Sequence, residues 1–339
     1  MVTERLFGAV NGRDIHLVTL ADASGVEVEL ISLGAAIRAI RVPGRNGTPT
    51  DICLGYDTPE EYASQDACFG GTIGRCANRI GGARFSIGGR EYRVTPNEGR
   101  NTLHGGAVGF HKKLWGHACG GDSVTFSLDS PDGEEGFPGN LHAEVTYTLQ
   151  NGTLTIRYRA QSDADTVVNL TNHAYFNLAG HGGGPVTDHV LTVRADRYTP
   201  SDSGNIPTGE LASVEGTPLD LRSPAVLGDR LSDPFLAASR GYDHNFVLNG
   251  GEGWAAELFC PRTGIALEMS TTLEGMQLYS AGWLTERPGK GGARYAPAHG
   301  VCLETQHFPD AVNHTAFPSP ILRAGAAYHA STRYRFSVK

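Results

Sequence analysis

Leu154-Thr155-Ile156-Arg157-Tyr158 carries an apolar side chain at every second position. Successive residues of a β-strand point to opposite faces, so this pattern buries one face and leaves the other to solvent. The same period recurs upstream in Ala36-Ile37-Arg38-Ala39-Ile40-Arg41-Val42 and downstream in Tyr334-Arg335-Phe336-Ser337-Val338. Val190-Leu191-Thr192-Val193 and Ile265-Ala266-Leu267-Glu268-Met269 fit it as well, with Gly, Asn, Asp or Pro punctuating the intervals. No long helical period competes. A short helix is expected at Thr58-Pro59-Glu60-Glu61-Tyr62, where a capping threonine, a first-turn proline and two early carboxylates coincide. A second brief helical turn is expected from Ser223-Pro224-Ala225-Val226-Leu227. The fold class that follows is all-β, a large sandwich with a few short helices.

The bulk numbers agree. The chain has 339 residues with 45 Gly and 18 Pro, yet 40% are apolar and only 19% charged, a turn-rich composition that can bury a sizeable core. No fixed repeat of propeller or solenoid length is present, and the Gly-rich stretches Gly180-His181-Gly182-Gly183-Gly184-Pro185 and Gly289-Lys290-Gly291-Gly292-Ala293 are too brief for interdomain linkers. They read as loops near a site, and residues 1–339 read as a single domain. A net charge of −8 without a Lys/Arg cluster argues against nucleic acid as a partner. The first residues, Met1-Val2-Thr3-Glu4-Arg5-Leu6-Phe7-Gly8, lack an apolar leader, and no run of apolar residues is long enough to span a bilayer. The expectation is a soluble cytoplasmic protein with no membrane partner. Six scattered cysteines without paired spacing read as reduced, mostly buried thiols.

Four segments pack ionisable and amide side chains between small or apolar neighbours: Gly74-Arg75-Cys76-Ala77-Asn78-Arg79-Ile80, Leu103-His104-Gly105-Gly106, Asn169 to Leu178 (NLTNHAYFNL), and Leu303 to Asn313 (LETQHFPDAVN). Polar groups in apolar strands need partners or a ligand, because their desolvation is unfavourable. Tyr242-Asp243-His244-Asn245-Phe246 and Met276-Gln277-Leu278-Tyr279 are weaker candidates of the same kind.

These segments, together with Asp132-Gly133-Glu134-Glu135-Gly136-Phe137-Pro138-Gly139-Asn140-Leu141, resemble the aldose 1-epimerase (galactose mutarotase) family, in the family's order and over nearly the whole chain. Leu-His-Gly-Gly alone would be a weak signal; the set in register is specific. The resemblance implies a large antiparallel β-sandwich, the galactose mutarotase-like supersandwich, with a free sugar held in an open cleft. It implies that Glu304 is the general base, His173 the general acid, and His104 a second active-site histidine near the ring oxygen. Arg79, Asp243 and Gln277 correspond to sugar-hydroxyl ligands, with Asn78 a neighbouring contact.

The chemistry calls for the same residue types. Exchange of α and β anomers removes the proton from the C1 hydroxyl while the ring oxygen is protonated, so a base and an acid must flank one carbon. Rotation about C1–C2 then presents the other carbonyl face, and the same pair closes the ring. Glutamate (about 4.3) is ionised at neutral pH and histidine (about 6.5) is poised to donate; nearby carboxylates are expected to favour the protonated imidazole. No redox change or group transfer occurs, so no cofactor and no metal is expected. The partner expected is a small aldose, galactose or glucose, bound by a monomer or homodimer.

Each residue also has a plainer reading. A histidine among strands is more often structural, Glu304 fits a strand ion pair, Asp243 a turn cap, and Gln277 a buried amide. His117, His142, His181 and His189 lie outside the matched segments and read as surface or structural groups; Trp115 and Trp283 could offer an apolar face to a sugar, though large aromatic residues in a β protein are more often core. Rival functions are a metal-dependent hydrolase built on His104, His173 and a carboxylate, a non-catalytic sugar-binding module, and a hexose-6-phosphate epimerase, which would need further cationic side chains at the cleft.

Overall fold

A computed structural model describes residues 1–339. The alternation at Leu154 belongs to the strand Thr153–Ser162, where Leu154, Ile156, Tyr158 and Ala160 are buried and Arg157, Arg159 and Gln161 are exposed. Burying each of the larger apolar side chains contributes about 1.5–3 kcal/mol, and a one-residue slip would lose all of them together.

Thr153–Ser162 lies within a nine-stranded antiparallel sheet. Its strands run, in spatial order, Gly116–Gly120, Ser123–Ser130, Leu141–Gln150, Thr153–Ser162, Ala327–Val338, Ile265–Thr271, Ala256–Phe259, Val190–Val193 and Ala225–Val226. A five-stranded antiparallel meander of Val2–Val10, Arg13–Ala21, Glu27–Ile31, Ala36–Pro43 and Pro49–Asp51 supplies a second layer. The largest core cluster joins the two, with Val18, Val28, Leu30 and Ile40 from the meander and Phe126, Val145, Tyr147 and Ile156 from the large sheet. In Ala36–Pro43 the alternation is broken by a register shift that leaves Arg38 without a ladder partner, and both Arg38 and Arg41 pair with Glu29.

A third sheet orders Ala212–Ser213, Arg197–Tyr198, Asp243–Val247, Gly275–Tyr279 and Cys302–Gln306. One of its faces sends Phe246, Met276, Leu278 and Leu303 into the main core. The other carries Asp243, Asn245, Gln277, Tyr279 and Glu304, since residues opposite each other in the ladder share a face.

The expected helix is present at Pro59–Ser64, capped by Thr58 with Glu61 closing a reciprocal capping box. The turn expected to begin at Ser223-Pro224 is a correction. Ala225–Val226 is the edge strand, paired with Val190 and Leu191, and only Leu227–Asp229 is a 3₁₀ turn. A β-branched residue with a sheet edge to pair with goes to the sheet whatever the local Ser-Pro signal. Five cysteines are buried, Cys119 is exposed, and all are free thiols. No helix is long and apolar enough to cross a membrane.

Candidate active site

The polar face of the third sheet forms one wall of a cleft of about 360 Å³. Gln277 stands opposite Glu304 in the ladder, and Asp243 opposite Tyr279. Gln277 Nε2 donates to Asp243 Oδ1 at 2.6 Å. Glu304 is 2% exposed in the middle of a strand whose residues are all buried.

The opposite wall comes from short ladders. Arg79–Ile80 pairs with Thr102–Leu103, which brings the residues just outside each strand, Asn78 and His104, side by side. His104 N–H donates to the Asn78 carbonyl at 3.0 Å, and Asn78 N–H donates to His104 Nδ1 at 3.2 Å. Both residues sit in the left-handed region, φ 60° for Asn78 and 53° for His104, a conformation asparagine and histidine adopt more readily than most. Because Nδ1 accepts, a neutral His104 carries its proton on Nε2. Burial, reinforced by the nearby His173, lowers His104 well below the usual histidine value, so the neutral form is the resting one.

His173 follows the strand Thr171–Asn172, and its backbone is pinned on both sides: its N–H donates to Gly71 O and its carbonyl accepts from Gly70 N–H, each at 2.9 Å. Gly70 has φ +65°, and a Cβ there would lie 1.9 Å from the Ile37 carbonyl oxygen, so only glycine lets the backbone approach this closely. The His173 ring stacks on Tyr175 with centroids 4.9 Å apart and meets His104 edge-on at 5.3 Å. Its Nε2 lies 3.7 Å from Glu304 Oε2, beyond a hydrogen bond.

Arg79 is held in a bidentate grip by Glu98, with Nε to Oε2 at 2.6 Å and Nη2 to Oε1 at 2.7 Å. Burial alone would lower the guanidinium, but the Glu98 hydrogen bonds and the Asp243 and Glu304 carboxylates outweigh it and raise Arg79. The carboxylates are shifted the other way. Burial and then the neighbouring Asp243 raise Glu304 well above the ordinary value, with Arg79 opposing. Burial likewise raises Asp243, against Arg79 and Gln277. The expectation that carboxylates hold His173 protonated is corrected here, because burial pushes it down to about 4. Burial therefore favours the uncharged form of each group, the carboxyl of Glu304 and the neutral imidazole of His173.

All seven residues singled out from the sequence, Asn78, Arg79, His104, His173, Asp243, Gln277 and Glu304, line this one cleft. His173 Nδ1, Gln277 Oε1 and Glu304 Oε2 are buried there without a hydrogen-bond partner, and such atoms are costly unless a ligand satisfies them. His104, His173 and Glu304 each bring one ligand atom within 4.8 Å of the others, which is also the shape of a two-histidine, one-carboxylate metal site.

Sequence reasoning missed other lining groups. Glu98 carried no local signal, Tyr175 and Tyr279 stood inside quoted segments without being singled out, and Trp283, for which the core was favoured over a sugar-facing role, is 47% exposed at the cleft. Trp115 is in the core as read. The Gly-rich loops expected near a site line no part of the cleft; instead Lys290 is buried, donating from Nζ to Asp51 at 2.6 Å and to the Arg38 carbonyl at 2.8 Å. His307 hydrogen-bonds Glu274 at 2.8 Å, away from the lining.

A family model described as aldose 1-epimerase matches residues 16–335. The galactose mutarotase of Mus musculus is 46% identical over 345 residues, covering 99% of both chains, and that of Homo sapiens is 46% identical over 319 residues, covering 92% of both. A crystal structure of an aldose epimerase homologue from C. elegans superposes with a TM-score of 0.89 at 31% identity, covering 95% of this chain and 98% of that one. With the fold, the assembled cleft and this similarity in agreement, the chain belongs to the aldose 1-epimerase family, and it is an epimerase that interconverts the anomers of a sugar.

Proposed function

We propose that the chain, acting as one domain over residues 1–339, interconverts the α and β anomers of free aldohexoses such as galactose and glucose, with Glu304 as base and His173 as acid. The observation that carries this reading is the gap of 3.7 Å between His173 Nε2 and Glu304 Oε2, two buried polar groups that face each other without hydrogen-bonding. A sugar placed with C1 between them offers its anomeric hydroxyl to the carboxylate and its ring oxygen to the imidazole.

Raising Glu304 above the ordinary carboxylate value makes it a stronger base once it is ionised. The proton inventory is also sufficient. The resting pair holds one proton on Glu304, and moving it to His173 yields the carboxylate and imidazolium that ring opening needs, with no net uptake. As the C1–OH proton passes to Glu304 and the His173 proton to the ring oxygen, the C1–ring oxygen bond breaks and an aldehyde forms. Rotation and the reverse transfers close the ring and restore both groups. His104 Nε2–H donates to the same oxygen region while remaining neutral. Arg79, Asp243 and Gln277, with Asn78 beside them, hold the hydroxyls that do not react.

Two observations favour a free sugar over a phosphosugar: the arginines of the cleft, Arg79 and Arg287, are already paired, with Glu98 and Asp66 respectively. Following the optical rotation of freshly dissolved α-D-galactose tests the proposal. Support is a faster approach to an unchanged end point that persists with chelator present; a background rate refutes the galactose reading, and loss of rate with chelator would favour the metal-site reading of the same three side chains.

A further inference from the structure

Outside the cleft, one cluster of ligating side chains lies between the meander and the large sheet. Glu4 is on Val2–Val10, His16 on Arg13–Ala21, and His117 on Gly116–Gly120, strands that contribute nothing to the cleft. Both rings aim at the same carboxylate oxygen, with His16 Nδ1 2.8 Å and His117 Nε2 3.0 Å from Glu4 Oε1. The two ring centroids are 5.0 Å apart, and one ligand atom from each residue falls within 4.8 Å of the others.

The register explains why they meet. Glu4 is opposite Val18 and His16 opposite Leu6, so Glu4 and His16 are diagonal neighbours on the face that sends Val18 into the core. His117 is opposite Phe126, also a core residue, and so points toward the meander from the other layer. The three groups thus meet between the two layers beside core residues while keeping partial contact with solvent. Their side chains remain 37%, 41% and 14% exposed for His16, Glu4 and His117, enough for an ion to enter.

We propose that Glu4, His16 and His117 form a surface site for a divalent transition cation of zinc's class. Two imidazole nitrogens and one carboxylate oxygen are the ligand set such ions take, with a fourth position left to water. Ligands about 2.0–2.2 Å from a tetrahedral ion stand roughly 3.3–3.5 Å from each other, so spreading this cluster by a few tenths of an ångström makes room. The site bridges the two layers and joins the meander to an edge strand that is mostly exposed. Bound ion would therefore stabilise the folded chain by linkage and protect the amides of Gly116–Gly120 from exchange. Cys119 lies two residues from His117 on the same face of that strand and is exposed. It flanks the site without being needed for it.

The test is calorimetric titration of the tag-free chain with zinc in saturating galactose, which occupies the cleft and its own histidines. One zinc per chain is expected, with affinity roughly ten-fold or more weaker in Glu4→Gln and in His117→Gln, and unchanged in His173→Asn and Cys119→Ser. Zinc should raise the melting temperature of the wild type but not of Glu4→Gln, and Glu4→Gln and His117→Gln should both keep wild-type mutarotation, showing that they fold. Absence of zinc uptake would overturn the proposal. So would uptake that survives Glu4→Gln and His117→Gln, or that disappears with His173→Asn or Cys119→Ser alone.

Discussion

Gln277 and Glu304 face each other directly across an antiparallel ladder, and that register puts an amide and a carboxyl side by side on one wall of the cleft. Gln277 turns its Nε2 to Asp243, 2.6 Å away, and leaves its Oε1 buried and unpartnered. The amide thus orients one carboxyl group while lying beside another. Removing it in Gln277→Ala should weaken sugar binding more than chemistry, raising KM by about ten-fold, the equivalent of one hydrogen bond of about 1.4 kcal/mol, with a smaller fall in kcat. Steady-state kinetics on galactose read the split.

Glu98 lines the cleft beside Arg79 and acts on the proposed sugar site chiefly by holding that arginine. Its bidentate grip fixes the guanidinium plane, so Glu98→Ala leaves a charge in place but lets it wander. KM should rise several-fold to about ten-fold, and Glu98→Gln, which keeps one of the two hydrogen bonds, should recover part of the loss. A residue that merely stabilised the fold would instead lower the melting temperature with KM unchanged.

The shifts of Glu304 and His173 set the pH profile. Below about 4, His173 takes up a second proton and Glu304 keeps its own, so no base remains. Above the raised Glu304 value the pair has lost its last proton, and the acid is missing. Mutarotation should follow a bell between these limits, with its upper limb assigned to Glu304 and not to histidine. In His173→Asn the acid limb near 4 should vanish from whatever rate is left.

The same shift carries a stability consequence. Glu304 has a folded value raised above its unfolded one of 4.5, so its contribution is fully present below 4.5 and is lost as the pH rises through the folded value. Glu304→Gln cannot ionise and escapes that loss. Its melting temperature should exceed the wild type's at alkaline pH, by the equivalent of about 0.5–2 kcal/mol, and the difference should shrink toward pH 4.5. Thermal melts at several pH values measure it.

Much of the fold was legible because strand period is a local property. Thr153–Ser162 reads from its own alternation, and Thr58 announces the helix Pro59–Ser64 through its own cap. Ser223-Pro224 misled because a sheet edge at Val190–Leu191, distant in sequence, claimed Ala225–Val226. The site residues were recognisable as polar groups in apolar segments, but only the family resemblance joined six segments into one cleft, since chain order holds no distances. Glu98 was invisible for the same reason: its role is to grip Arg79, and nothing near it in sequence says so. The protonation of His173 was misread because burial, which decides it, is a property of the assembled walls.

The most direct test of the account is polarimetry of freshly dissolved α-D-galactose with wild type, Glu304→Gln and His173→Asn at equal concentration, each checked for folding. The account predicts that wild type accelerates the change in rotation to an unchanged end point, and that each variant loses roughly 100- to 10,000-fold. A folded Glu304→Gln chain that works at near the wild-type rate would contradict it, because the base would then have to lie elsewhere.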